Sequence, residues 1–462
     1  MSGWRTDATA LPGSGDRVLV IGLGLSGEAA ARHLLRLGAT VTVTDASDDP
    51  VVRERAAALE GATVMLGVED PSDAVGSADL VVVSPGVPEH APALRTAAVA
   101  GIPVWSEIEL AFRLARAPIL GVTGTNGKTT VTRMVASALT EAGYRAAAAG
   151  NIGVPLTDAA VGDHEVIVAE LSSFQLRNIV AFRAPVGVIL NVADDHLDWH
   201  GDFERYLAAK ARLFENQGTE DVAIHHDDDT SARAASGAPG RRVPFSSDSV
   251  PTSGAGVDRD GWIVVPEGRV CEAASLRARG APALANAVAA AAVACAFGAA
   301  PDAAGRALSS FEPLPHRMEL VATIGGVAYV NDSKATNPHA VLAALAGLDR
   351  VVLIAGGRNK GLDLASLGSA AGAVRSVVAI GESAPEIERA FATSGIQVDR
   401  AGTMDEAVSR AAATAVEGDT VLLSPGCASF DMFADYKARG EAFRAAVKRI
   451  GSTAGAPAKG GK

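Results

Sequence analysis

The sequence predicts an α/β protein of three successive domains, each built on a mostly parallel sheet. Three observations carry this prediction. Short β-branched runs that end in Gly- or Pro-containing turns alternate with helical segments along most of the chain. Two of the turns, at 22–27 and 124–130, are Gly-rich patterns set between a strand and a helix. The length of 462 residues exceeds a single core, and at roughly 150 residues per domain the prior is about three. The boundaries are expected at 1–106, 107–313 and 314–462.

The elements follow in order. RVLVIGLG is a buried strand running into glycines, residues 28–37 are helical, and TVTVTDAS and DLVVVSPG supply further strands. This βαβ pattern closes near Pro103. A second unit opens with APILGVTGTNGKTT and continues through HEVIVAE and PVGVILNV. Residues 225–279 are richer in Gly, Pro, Asp and Ser and read as irregular or antiparallel structure, with GWIVV a short strand. An Ala-rich buried helix follows. The third unit starts near Phe311 and holds the strands in VAYVND, RVVLIAGG, SVVAIG and DTVLLSPG. The tail 453–462 reads as disordered.

Bulk properties narrow the function. The net charge of −12 comes with no Lys/Arg run, which argues against nucleic acid as a partner. Three widely spaced cysteines, Cys271, Cys295 and Cys427, make neither a disulfide framework nor a paired metal spacing, as in a reducing compartment. Residues 1–15 contain no apolar signal core, and the longest apolar stretch, 287–300, is shorter than the ~20 residues a bilayer requires. A cytoplasmic protein without membrane insertion is expected.

The first motif, Gly22-Leu23-Gly24-Leu25-Ser26-Gly27, has Asp45 at the end of the next strand. Glycines let a backbone approach a pyrophosphate at a helix N-terminus, and an acid binds a ribose, so the pattern suits NAD or a UDP moiety alike. Without a ligand it is simply a tight turn. The second motif, Gly124-Thr125-Asn126-Gly127-Lys128-Thr129-Thr130, is stronger. Its backbone can cradle phosphates, Lys128 offers a point charge, and the Thr129 hydroxyl can ligate Mg²⁺. Val122 stands where a strict pattern has its first Gly. Glu170, at the end of VIVAE, and His196, after VILNV, lie at or just beyond strand carboxyl ends, where α/β sheets bind ligands.

Lys210 falls on the apolar stripe of FERYLAAKARLFEN, with Phe203, Tyr206, Leu207, Leu213 and Phe214 at helical spacing. It either snorkels to solvent or is a partly buried amine whose lowered pKa would let it add CO₂ as a carbamate; the sequence leaves both open. Third-domain turns bearing Arg317, Asp332, Lys334, Thr336, Lys360, Ser424 and Phe430 place polar or cationic groups at strand ends. A second phosphate loop is left unexplained by a nicotinamide oxidoreductase. A non-catalytic nucleotide binder is the other rival to a ligase.

GTNGKTT, ELSSFQL, NVADDHLDWH, the YLAAK lysine, PHRME, NDSKATN and LLSPGCASFDMF occur in this order. Together they resemble the Mur ligases, in particular the branch that adds D-glutamate to UDP-N-acetylmuramoyl-L-alanine. The resemblance implies a Rossmann-like first domain, a P-loop-type second domain and a Rossmann-like third domain. It implies ATP and two Mg²⁺, a monomer, and small-molecule substrates. Gly22, Gly24, Leu25, Ser26, Gly27, Asp45, Ser84, Gly86 and Asn151 would bind the UDP substrate. Residues 124–130, Asn286, Arg317 and Asp332 would bind ATP. Thr129, Glu170, His196 and a carbamylated Lys210 would serve the metals. Lys128, Lys210, His196, Glu170 and Lys334 would be catalytic, and Thr336, Lys360, Ser424 and Phe430 would face D-glutamate. Pro282-Ala283 stand where the family has His-Asn, which shifts weight in adenine binding to Asn286.

Overall fold

A computed structural model describes residues 7, 10–278 and 280–454. The first sheet contains β1 (Arg17–Ile21), β2 (Thr40–Asp45), β3 (Thr63–Leu66), β4 (Leu80–Val83) and β5 (Val104–Ser106). All its strands are parallel, in the order β3-β2-β1-β4-β5. Winding outward from β1 in both directions leaves a crevice at the carboxyl ends of β1 and β4. The strands are Val- and Leu-rich because helices cover both faces, and Val20, Leu34, Val43 and Val82 are sealed in the core.

The second sheet is also fully parallel. It contains β6 (Ile119–Thr123), β7 (Ala146–Gly150), β8 (Val166–Glu170), β9 (Val186–Ile189), β10 (Val222–His226) and β11 (Arg241–Phe245). Its order is β11-β10-β9-β6-β8-β7, so β6 lies between β8 and β9. A small antiparallel sheet follows, formed by β12 (Gly256–Val257), β13 (Trp262–Val265) and β14 (Gly268–Glu272). The expectation of irregular or antiparallel structure over 225–279 therefore holds only for its later part. β11, with exposed arginines and a proline, pairs in parallel at the edge of the main sheet, where Pro removes no needed donor. The Ala-rich helix spans Ala281–Phe297 and is buried over 287–295.

The fourth sheet contains β15 (Glu319–Ile324), β16 (Val327–Asn331), β17 (Val351–Gly356), β18 (Val374–Ile380), β19 (Gln397–Ala401) and β20 (Thr420–Leu423). It is ordered β15-β16-β20-β17-β18-β19, parallel except for the β15–β16 hairpin. The closing helix, Tyr436–Ala454, takes in the first two residues of the segment read as a disordered tail. The rest of that segment lies outside the described residues.

Each of the three expected domains has its main sheet, and by compactness the chain divides into two units. The first holds the first three sheets; the second holds the fourth, together with segments 193–198 and 277–284. Side chains tie the first two sheets together. Asp158 accepts from Arg32 and pairs with His33. Fully buried Glu109 accepts from the backbone N–H of Val180, Ala181 and Phe182 and from Arg113 Nε. Among the described residues no helix is long and apolar enough to cross a membrane. All three cysteines are buried.

Arg439 organises the second unit from within. It is 1% exposed, donates from Nε to Ser333 Oγ and from Nη2 to Ser333 O, and donates from Nη1 to the carbonyls of Cys427 and Ala428. Burial lowers its pKa to about 10, with Cys427 and Asp431 opposing. Its charge is thus balanced by carbonyl dipoles of two loops that follow strands. Arg439→Ala would remove the donors to the Ser333 and Cys427 carbonyls, leaving Ala428 O only its bond from Arg358 N–H, and we expect a loss of about 2–4 kcal/mol in denaturant unfolding. Loss below ~0.5 kcal/mol would show that water replaces the guanidinium at no cost.

Candidate active site

In the first unit, the loop after β6 is shaped by two glycines with positive φ, Gly124 at 150° and Gly127 at 86°. A Cβ on Gly124 would sit 3.0 Å from Leu190 Cβ, and one on Gly127 would sit 2.4 Å from Asn286 Oδ1. Asn191, just past β9, clamps the loop. Its carbonyl accepts from Thr125 N–H, its Oδ1 from Asn126 N–H, and its Nδ2 donates to Asn126 O. The helix Lys128–Glu141 then begins with no side chain capping its first turn, leaving N–H groups directed outward as an anion site. Thr129 and Thr130 stand in that turn, half-buried.

Two lysines converge on this loop. Lys128 Nζ donates to the carbonyls of Gly124 and Thr125, both at 2.9 Å. Lys210 Nζ donates to the same Gly124 carbonyl at 2.8 Å and lies 4.5 Å from the centroid of the Tyr206 ring. Lys210 is 1% exposed, so of the two fates open in the sequence it does not snorkel. The Tyr206 hydroxyl in turn lies 3.0 Å from Thr125 Oγ1.

Glu170 ends β8, in register with Val122 of β6 and Gly150 of β7. It does not cap a helix; that role in the helix Ser173–Leu176 falls to Ser172, in a capping box with Gln175. Asn151 Nδ2 donates to Glu170 Oε1 at 3.1 Å, while Oε2 is buried with no hydrogen-bond partner. A buried carboxylate oxygen without a donor is costly, and a hard cation satisfies it. Among the described residues no three His, Cys, Asp or Glu side chains gather as a metal cage.

The glycine turn of the first sheet borders a cavity of about 480 Å³ lined by Gly22, Gly24, Leu25, Ser26, Asp45, Ser84 and Gly86 among others. Ser84 Oγ donates to Gly22 O at 2.7 Å across the β1–β4 crevice, and a Cβ on Gly27 would lie 1.9 Å from that same carbonyl. Asp45 accepts from Leu23 N–H at 2.6 Å and Ser47 N–H at 2.8 Å, so it first shapes the turn that the sequence assigned it to serve as a ribose ligand. Asn151 is not among the residues lining this cavity; it stands beside Glu170.

In the second unit, Lys360 Nζ lies 2.6 Å from Asp195 Oδ1, and Asn337 Nδ2 donates to Asp195 Oδ2 at 3.1 Å. Burial opposes ionisation of Asp195, but Lys360, His196 and Asn337 outweigh it and hold the pKa below the usual carboxylate range. His196 adopts a φ of 54° with Nε2 3.7 Å from Asp195 Oδ2. Asp332 follows β16; it accepts from Ser424 Oγ at 3.0 Å and Met318 N–H at 3.2 Å. Burial raises its pKa to about 7, against those bonds and nearby Arg317. Arg317 is flanked by His316 and Met318, both left-handed at φ 61° and 48°, which fixes the turn that presents it. Lys334 Nζ sits 4.0 Å from the centroid of the Tyr436 ring, Thr336 is half-buried, and Phe430 is 66% exposed.

The structure thus places Lys128, Thr129, Lys210 and Asn286 at one loop of the first unit, with Glu170 and its partner Asn151 at the end of the strand beside β6, and places His196, Lys360, Asp332 and Ser424 in the second. Asn191, Tyr206, Asp195 and Arg439 were not selected from sequence. Asn191 carried a readable signal, an amide directly after a strand; the others act through contacts far along the chain.

Three domain families match in order: the Mur ligase MurD-like N-terminal domain over 16–106, the Mur ligase middle domain over 122–294, and the Mur ligase glutamate ligase domain over 316–427. UDP-N-acetylmuramoylalanine–D-glutamate ligase of Frankia casuarinae is 47% identical over 95% of both chains. That of Thermobifida fusca is 44% identical over 94% of this chain and 99% of its own. Among solved structures, a pseudomurein peptide ligase type C from Methanothermus fervidus aligns with TM-score 0.60 and 19% identity over 94% of this chain and 100% of its own. MurF from Acinetobacter baumannii aligns at 0.59 and 17% over 95% and 92%. These distant structures share the three-domain α/β fold. With a phosphate loop, a carboxylate and a buried lysine in one place, and three ordered domain matches, the chain belongs to the Mur ligase family.

Proposed function

We propose that the chain joins D-glutamate to the alanyl carboxylate of UDP-N-acetylmuramoyl-L-alanine, coupled to conversion of ATP to ADP and phosphate, in the cytoplasm and as a monomer. The carrying observation is the convergence of Lys128 and Lys210 on the Gly124 carbonyl beside an uncapped helix N-terminus. The glycine turn at 22–27 holds the UDP diphosphate, with Ser84 and Asp45 keeping the turn in shape. The 124–130 loop holds the ATP phosphates. Asn286, packed against Gly127, lies where it can serve the nucleotide.

Thr129 and Glu170 are the residues that would hold Mg²⁺, which neutralises charge on the transferring phosphoryl group. Lys128 exchanges its loop carbonyls for phosphate oxygens and stabilises the charge that builds on them. The alanyl carboxylate attacks the γ-phosphorus and ADP leaves, giving an acyl phosphate. The D-glutamate amine adds to the acyl carbon, loses its proton, and expels phosphate. Lys360 and Thr336 receive the glutamate carboxylates; Arg317 and Asp332 serve the nucleotide, and Lys334 neutralises developing charge. Lys210, held off solvent against Tyr206, has the desolvated environment that favours a neutral amine and hence a carbamate.

The test is phosphate release with each of ATP, UDP-N-acetylmuramoyl-L-alanine and D-glutamate omitted in turn; release independent of D-glutamate would defeat the ligase reading. Lys128→Ala is expected to cut kcat by about 100-fold or more, with the fold kept, because a preorganised charge on the phosphates is lost. Near-normal turnover would remove the phosphate-loop assignment. Lys210→Ala is expected to be inactive and partly rescued by added acetate or formate if the working form is a carbamate. Absence of rescue at tens of millimolar would leave Lys210 as a loop-supporting ammonium.

A further inference from the structure

Glu107 opens the helix Glu107–Leu114, directly after β5, and is 1% exposed. Its Oε1 accepts from Gln175 Nε2 at 2.6 Å. Its Oε2 is sealed from solvent with no well-formed hydrogen bond, although the Ser26 side chain lies near enough to favour the anion. Burial dominates and pushes the carboxyl up to about 7, against Gln175, its own backbone N–H and Ser26. No cation contributes among the described residues. Burial thus brings the titration of this acid into the neutral range, where its protonated form can donate as well as accept.

Its two neighbours both belong to turns with assigned work. Ser26 stands in the first turn of the helix Leu25–Arg36 and lines the first-sheet cavity. Gln175 completes the capping box with Ser172, two residues beyond Glu170. One carboxyl therefore touches the glycine turn, the junction between the sheets, and the turn that continues from the Mg²⁺-binding strand. A Leu or Met of similar volume would fill the space without an unsatisfied buried oxygen, so packing alone does not account for an acid here.

We propose that Glu107 is a positioning residue, a hydrogen-bonding joint that fixes the UDP-bearing turn against the Ser172–Gln175 turn and so sets the alanyl carboxylate within reach of the γ-phosphoryl group. This rests on the ligase reading above. Misalignment of reacting groups by about 1 Å can cost on the order of 100-fold in rate while leaving binding intact. Glu107 does not meet substrate; it acts through Ser26 and Gln175.

The experiment compares Glu107→Ala, Glu107→Gln and Gln175→Leu, measuring kcat, calorimetric Kd for UDP and for ATP, and Tm. Glu107→Ala and Gln175→Leu are expected to lower kcat by roughly tenfold or more with both Kd values held within about threefold. Glu107→Gln, uncharged and still accepting from Gln175, is expected to stay within about threefold of the unmodified enzyme. Unchanged kcat with only a lower Tm in the alanine variant would reduce Glu107 to packing and overturn the proposal. A loss confined to UDP affinity would overturn it in favour of a local pocket role, and a glutamine variant as slow as the alanine one would overturn the uncharged joint. If Glu107→Ala does not fold, Gln175→Leu decides by the same readouts. An unmodified enzyme with no UDP-substrate-dependent phosphate release fails the ligase reading itself, whereas an active enzyme with indifferent variants defeats the joint alone.

Discussion

Two lysine amino groups share the carbonyl oxygen of Gly124, and the first unit is arranged to let them do so. A buried lysine needs dipoles in place of water. Lys210 finds them in that carbonyl and the face of Tyr206. The carbonyl can be presented only because Gly124 occupies a φ closed to other residues, pressed against Leu190 and Asn191. The central placement of β6 then brings Glu170 from one neighbouring strand and Asn191 from the other to the same edge. Strand order, not loop sequence, makes the three meet.

The second unit solves a related problem with acids. Asp195 and Asp332 are both largely buried, and their environments move them in opposite directions. Asp195 has Lys360 as a direct counter-ion and stays charged. Asp332 has a hydroxyl, a backbone N–H and a more distant guanidinium, which do not offset the loss of water. Two carboxylates in one fold are therefore set to different protonation behaviour by what stands within hydrogen-bond reach.

Much of this was legible in the chain. Phosphate-binding turns demand glycine, and a strand that enters one is apolar and β-branched, so both turns and their flanking elements could be placed from residues alone. Lys210 was marked by helical spacing, since a cation amid Tyr206, Leu207, Leu213 and Phe214 contradicts the stripe it sits in. The merging of two sheets into one compact unit was not legible, because it depends on bonds such as Glu109 to residues 180–182, more than seventy positions away. Lys360 and Asp195 are 165 residues apart and no local periodicity links them. The turn-shaping work of Asp45 was hidden for a different reason: the motif reports what the acid can do for a ligand and is silent on the N–H groups of Leu23 and Ser47 that it also holds while lining the cavity.

The placement of sulfur has an outcome of its own. Burial pushes the thiol of Cys295 up to about 12 and that of Cys427 up to about 11, and raises that of Cys271 as well. Alkylating reagents react with the thiolate, so each sulfur stays inert until its surroundings open. Cys271 and Cys295 belong to one compact unit and Cys427 to the other. The native protein thus carries its own chemical clocks, whose separate labelling rates time the breathing of its two halves without any engineered probe.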